Sequence, residues 1–299
     1  MGDAAGRGHR RADCAALARC RCRTVVRCRH ARRDYGMTPA APALRWWMPL
    51  ALAVQFLTRV PIPGLRVLTA DTAKLGLARA VAWFPLVGGL VGLLTACVML
   101  LIDPYWRRPV AVILALIFEA RLTGAFHEDA VADFCDGFGG GIKPERIHSI
   151  MKDSRIGSYG ALGLGLAVGL RAVLLISLPA PLILPALVAS ASFGRWMAVA
   201  VMALVPPLSH TEGLAKDVGA RSNLAQLAAA SLLTVPFIAA LGWMLPGPMI
   251  GGLAAAVIFL LWFRRFLLRN LGGVTGDCLG FAVYVGQLVM LLAATLHLA

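Results

Sequence analysis

The run from Ala80 to Ile102 reads AVAWFPLVGGLVGLLTACVMLLI, without a single charged residue. At 1.5 Å per residue, a helix of this length covers the roughly 30 Å of a bilayer's hydrocarbon layer. Similar runs occupy 110–126, 158–178, 182–205, 226–245, 248–263 and 279–298. In lipid a single segment can satisfy its own backbone polar groups only as a helix. The predicted fold is therefore all-α, a polytopic integral membrane bundle of about seven transmembrane helices. Composition agrees: the 299 residues are 59% hydrophobic and 15% charged, with mean hydropathy +0.75. That is too little charge to cover a soluble domain of this size. A shorter apolar piece, Leu44–Leu57, ends at Arg59 with Pro61 and Pro63 behind it, and is expected to form a re-entrant or interfacial helix.

The formal net charge of +14 is unevenly spread. Ten arginines (Arg7, Arg10, Arg11, Arg19, Arg21, Arg23, Arg27, Arg29, Arg32 and Arg33) stand against Asp3, Asp13 and Asp34 in the first 36 residues, which is half the total. No apolar segment follows them before Trp46, so they do not make a secretory signal. Cys20 and Cys22 are too closely spaced for a zinc knuckle. The change of composition at Met37 makes it the expected natural start. Residues 1–36 are then a disordered basic extension, and 37–299 a single membrane-embedded domain. Cys97, Cys135 and Cys278 suggest no disulfide framework and read as small packing residues.

The connections alternate in charge. Those near 59–79, 127–157, 206–225 and 264–278 carry most of the Lys and Arg, whereas Pro179-Ala180-Pro181 and Pro246-Gly247-Pro248 carry none. The positive-inside rule places the basic connections in the cytoplasm. The 103–109 turn, with Arg107 and Arg108, is an exception on the opposite side.

One basic connection also holds His127-Glu128-Asp129-Ala130-Val131-Ala132-Asp133-Phe134-Cys135-Asp136-Gly137. In a helix, Asp129, Asp133 and Asp136 project from one face at i, i+4 and i+7. Like charges so placed repel unless a cation lies between them, and hard oxygen donors suit Mg²⁺, with Mn²⁺ as a substitute. A solvated acidic helix end would need the acids equally, but this chain has only 15 Asp and Glu in all. Glu128 points about 100° away from Asp129 and suits a general base, while His127 is open as ligand, base or membrane-edge residue.

Three further groups accompany the acids. Gly137-Phe138-Gly139-Gly140-Gly141 offers backbone freedom for an approach to phosphate oxygens. In Lys152-Asp153-Ser154-Arg155, two cations able to neutralise phosphate bracket an acid able to complete a metal site. A turn from Arg269 through Thr275 brings Asp277 to the membrane edge. Arg195 lies inside a span, is costly there, and should face the protein interior or a water-filled cavity, where it can bind an anion or pair with an acid.

These residues resemble four motifs of the cobalamin synthase, or adenosylcobinamide-GDP ribazoletransferase, family. The acidic motif spans His127–Gly137; the others are Phe56–Pro63, Met151–Gly160 and Leu271–Asp277. The resemblance covers about residues 44–298. Ala130 replaces the family's usual Gly, which favours helix without removing a ligand, and residues 1–36 have no counterpart.

The resemblance implies an enzyme that joins adenosylcobinamide-GDP to α-ribazole or its 5′-phosphate, releases GMP and yields adenosylcobalamin or its phosphate. It implies Mg²⁺ dependence and a bacterial inner-membrane location with the site facing the cytoplasm. On this reading Asp129, Asp133, Asp136, Asp153 and Asp277 are metal ligands, and Glu128, His127, Lys152 and Arg155 are catalytic. Arg59, Ser154, Arg195, Arg269 and Thr275 are expected to bind substrate. The expected partners are those two substrates and the bilayer; other nucleotide-loop assembly enzymes stay open, no nucleic acid is expected, and the oligomeric state is unassigned.

Two other classes share parts of the pattern. A CDP-alcohol phosphotransferase also uses membrane-edge aspartates, but its motif wants an Arg after the Ala of D-G-x-x-A-R and four-residue steps between its last acids. A transporter would place acids and broken helices near mid-membrane in two related halves, and no internal repeat is visible.

Overall fold

The computed structural model describes residues 45–65, 68–208 and 224–296. The basic stretch 1–36 and most of the 206–225 connection lie outside these residues. The described part is helical, and its one β pairing is an isolated bridge between Pro207 and Val274.

Met48–Leu57 forms α1, the short helix expected before Pro61. Next, α2 (Ala70–Ala80), N-capped by the Thr69 side chain, continues through a 3₁₀ turn at Val81–Trp83 into α3 (Phe84–Ile102). The chain returns in α4 (Arg108–Thr123), turns into α5 (Phe126–Gly140), and passes through the short α6 (Pro144–Met151). Long helices follow: α7 (Ser158–Ser177), α8 (Ala180–Leu204), α9 (Leu224–Met244), α10 (Pro246–Asn270) and α11 (Gly276–Ala294). The uncharged Pro-x-Pro connections have become helix starts, where proline's missing N–H costs nothing.

Among the described residues, six helical paths are long and apolar enough to cross a membrane, and α4 with α5, bent by 89°, makes a seventh if the pair is one span. Together α4 and α5 cover the length of α7. Arg108, which opens α4, donates to the Leu178 carbonyl just beyond α7, and Asp136 of α5 accepts from Gly157 just before it. Arg108 also forms an ion pair with Asp103 at 2.6 Å, which neutralises one of the two cations in this exception to the charge rule.

The bend corrects the sequence reading, in which the span at 110–126 ran straight up to the acidic motif. Gly124 and Ala125 both take left-handed conformations, with φ +76° and +57°. A left-handed alanine costs about 1–2 kcal/mol, so neighbouring structure must hold it. The backbone N–H of Arg59 donates to the Leu122 carbonyl at 2.7 Å, and the Arg59 side chain lies against Gly124 where a Cβ would sit.

The most enclosed helix is α8, packed by α3, α9 and α11. Without a hydrophobic drive between helices in lipid, close approach at small residues supplies the packing. Gly88 and Gly92 of α3 lie directly on the backbone of α8 at Ala191 and Leu187, and Gly286 of α11 lies against Met197. Arg195 is thereby held on the best-buried helix of the bundle, beside the start of α5.

Candidate active site

Three successive residues of α5 face three different environments. His127 is buried and lines a small cavity of about 60 Å³ with Arg195, Phe56, Phe84 and Phe126. Glu128 faces the opposite flank, 3.9 Å from Arg171. Asp129 is exposed at the end of the bundle, and Asp133 lies one turn further on the same face, partly buried.

The start of α11 brings Asp277 to that face. Gly272 at φ +75° turns the chain, Val274 donates to the Pro206 carbonyl and Leu208 donates to that of Val274. The Thr275 side chain then caps α11 by accepting from Cys278 N–H. One turn on, Gly280 lies against the Ala130 methyl so closely that no side chain fits there. This contact puts Asp277 within electrostatic reach of Asp129 and Asp133; Lys152, just after α6, is within reach of Asp133 and Asp277, and His148 of α6 is within reach of Asp277.

The third aspartate of the predicted face is engaged differently. Both oxygens of Asp136 accept backbone N–H groups at the start of α7, Gly157 at 2.6 Å and Gly160 at 2.8 Å. The orphan donors of a helix N-terminus and its partial positive charge make this a strong seat for a carboxylate. At Gly157 and Gly160 a Cβ would collide with Asp136, which explains both glycines.

Asp153 is also drawn away from the acid face. It forms an exposed ion pair with Arg155 at 2.7 Å, and these hydrogen bonds hold its pKa down to about 2. The pair borders an open cleft of about 520 Å³ with Arg146 and Tyr159. Ser154 is exposed beside it, and Arg269 is exposed in the last turn of α10. Arg195 is 1% exposed and donates to the Ala191 carbonyl, and its Nε and Nη2 find no partner among the described residues.

The glycine run 137–141, read above as backbone freedom for an approach to phosphate oxygens, forms mainly the last turn of α5. Its glycines seat neighbouring side chains: Gly137 that of Met151, Gly139 that of Tyr159 and Gly141 that of Ile147. Their use here is packing of α5 on α6 and α7.

Among the described residues, no three His, Cys, Asp or Glu side chains converge into a ready-made metal cage. Magnesium keeps several waters and binds through one or two carboxylates plus substrate phosphates. Asp129, Asp133 and Asp277, all hard oxygen donors around one solvent-facing surface, fit such an ion.

The family model for cobalamin-5-phosphate synthase matches residues 49–295. The chain belongs to that family. Relatives named adenosylcobinamide-GDP ribazoletransferase come from several bacteria. The one from Ralstonia pickettii is 38% identical over 251 residues, covering 82% of this chain and 94% of the relative. That from Vibrio cholerae is 35% identical over 256 residues, covering 84% and 95%. A third, from Bradyrhizobium diazoefficiens, is 39% identical over 247 residues, covering 82% and 92%. No solved structure matches the chain.

In this cobalamin-5-phosphate synthase family member, the sequence reading missed a buried polar core. Arg171 of α7 makes two hydrogen bonds to Glu119 of α4, at 2.7 and 2.9 Å, and Thr95 of α3 donates to the same carboxylate at 3.1 Å. Arg171 also lies 5.7 Å from the centre of the Tyr284 ring. The signal was present, since a lone Glu and a lone Arg stand inside apolar runs and such residues pair inward.

Proposed function

We propose that this chain is an adenosylcobinamide-GDP ribazoletransferase. It joins adenosylcobinamide-GDP to α-ribazole, or to α-ribazole 5′-phosphate, releases GMP and forms adenosylcobalamin or its 5′-phosphate, a late step of cobalamin biosynthesis. The observation that carries this reading is that Asp129, Asp133, Asp277 and Lys152, drawn from three separate motifs, lie within electrostatic reach of one another in a polytopic helical bundle. Family membership selects among the pyrophosphate chemistries that such a surface could serve.

Asp129, Asp133 and Asp277 would hold Mg²⁺, which when bound supplies charge neutralisation to the substrate pyrophosphate. Lys152 is exposed beside these acids and meets the phosphate oxygens as a point charge. Glu128, one residue from Asp129, accepts the proton of the attacking ribazole hydroxyl. The oxygen attacks the phosphorus on the corrinoid side, the bond to the bridging oxygen breaks, and GMP departs with that oxygen. Positioning and charge stabilisation are the main needs of such a transfer.

The assignment of Asp136 changes accordingly. It shapes the loop that carries Lys152 and Arg155 by capping α7, which leaves Asp129, Asp133 and Asp277 as the proposed ligands among the five expected. Arg155 orders Asp153 and, with Arg146, is available to a phosphate in the neighbouring cleft.

The basic loops at the acid end support a cytoplasmic orientation of the site in the bacterial inner membrane. The reading is tested by adding adenosylcobinamide-GDP, α-ribazole and Mg²⁺ to the purified protein and following GMP. Asp129→Asn and Asp277→Asn are expected to lose that activity at limiting Mg²⁺.

A further inference from the structure

The flank of α5 that carries Glu128 opens on a groove with no part in the reading above. It lies between α4 and α7, has a volume of about 770 Å³, and is walled by Ile113, Ile117, Leu164 and Val168. Small-molecule sites typically occupy roughly 300–1,000 Å³ and combine apolar walls with a few polar groups. Gly165 and Gly169 form its α7 side, and a Cβ at either would meet nothing within 4 Å. The backbone of α7 therefore leaves a flat slot. One end is marked by Ile156, in the loop after Lys152, and the polar lining consists of Glu128, Arg171 and Tyr284.

Among the described residues, two buried atoms of that lining have no hydrogen-bond partner, Glu128 Oε2 and Arg171 Nε, and the Arg171 side chain is 1% exposed. A lipid acyl chain could fill the apolar slot but carries neither donor nor acceptor. A flat apolar ring bearing a hydroxylated sugar matches both halves of the groove. The sugar would then stand beside Glu128, one residue from the acid face.

Building on the transferase reading, we propose that this groove holds the benzimidazole base of the ribazole substrate, with a ribose hydroxyl donating to the partly exposed Glu128 carboxylate. The ring lies between Ile113 and Ile117 of α4 and the Gly165–Gly169 slot of α7. Ile113 and Ile117 are also exposed on the outer surface of the bundle. An apolar base is thus selected within the hydrocarbon layer, which gives the membrane setting of the site a physical use.

Gly165→Leu and Gly169→Leu fill the slot without touching a polar group. In phospholipid nanodiscs, each is expected to raise the KM for α-ribazole about tenfold or more, with kcat and the KM for adenosylcobinamide-GDP within about twofold. The base preference, read as the ratio of kcat/KM for α-ribazole to that for unsubstituted benzimidazole riboside, should change as well. Gly165→Ala carries the same test at smaller amplitude should the leucine variants fail to fold. Unchanged ribazole KM and unchanged base preference in folded variants would overturn the proposal. So would a phospholipid bound by the wild type in native mass spectrometry and lost from variants whose ribazole KM is unchanged. Wild-type protein that turns over no ribazole defeats the transferase reading itself, and the groove assignment with it.

Discussion

Asp136 on α5 and Gly160 on α7 are joined by a hydrogen bond of 2.8 Å from the glycine N–H to a buried carboxylate. The second carboxylate oxygen takes the Gly157 N–H, so one aspartate closes the N-terminus of a transmembrane helix from a neighbouring element. Two motifs separated in sequence are thereby one structural unit.

Asp136→Asn should therefore behave as loss of a charge-assisted helix cap, costing about 1–2 kcal/mol. Thermal unfolding in detergent should show a lowered midpoint, and the Mg²⁺ concentration for half-maximal GMP release should stay close to that of the wild type. An unchanged midpoint with a raised Mg²⁺ requirement would return Asp136 to the metal.

Asp129→Asn, Asp133→Asn and Asp277→Asn should show the opposite pattern. Loss of an outer-sphere partner alone typically costs 10–100-fold in metal affinity or activity, so loss of a direct ligand should raise the Mg²⁺ requirement by about tenfold or more. Unfolding midpoints should stay near the wild-type value. Titrating Mg²⁺ against GMP release across the three variants measures this, and an unshifted Asp277 variant would remove α11 from the site.

Glu119→Gln removes the hydrogen-bonded counter-charge of the buried Arg171 and leaves it only Glu128, at 3.9 Å. Breaking one side of such a pair typically costs about 3–5 kcal/mol, whereas replacing both partners with apolar residues is much milder. Glu119→Leu combined with Arg171→Met should accordingly unfold at a higher temperature than Glu119→Gln alone. A double variant less stable than the single would show that the pair is needed for more than mutual neutralisation.

Gly124→Ala meets two obstacles, a left-handed backbone and the Arg59 side chain. The backbone part is expected to cost about 1 kcal/mol or more. Activity should fall further than stability, because the bend aims α5. Arg59→Ala should relieve part of the stability loss in the double variant, and a thermal-unfolding mutant cycle would show the coupling. Strict additivity would mean that Arg59 does not brace the bend.

The spans were legible because lipid permits few alternatives. Every predicted run became a helix, with boundaries moved by a few residues where a proline starts a helix or a basic end prolongs one, as in α10. The right-angle turn at Gly124 was not legible. Nothing in the local pattern requires Ala125 to be left-handed, and the bracing residue, Arg59, lies far away in sequence. Helical spacing placed Asp129 and Asp133 on one face correctly. It could not show that the same face runs inward, so that Asp136 meets the α7 amides rather than solvent. The glycines at 137, 157, 160 and 280 are in the same class, since each is explained by a partner from another helix. Glu119 and Arg171 were readable as inward-facing charges, but their pairing required the packed bundle.

The most direct measurement is GMP release by purified protein in nanodiscs, with each substrate and Mg²⁺ omitted in turn. The expected result is GMP formed in step with adenosylcobalamin or its phosphate only when adenosylcobinamide-GDP, a ribazole substrate and Mg²⁺ are all present, and abolished by chelation. GMP release that ignores the ribazole substrate, or no release from folded protein with everything supplied, would contradict the account.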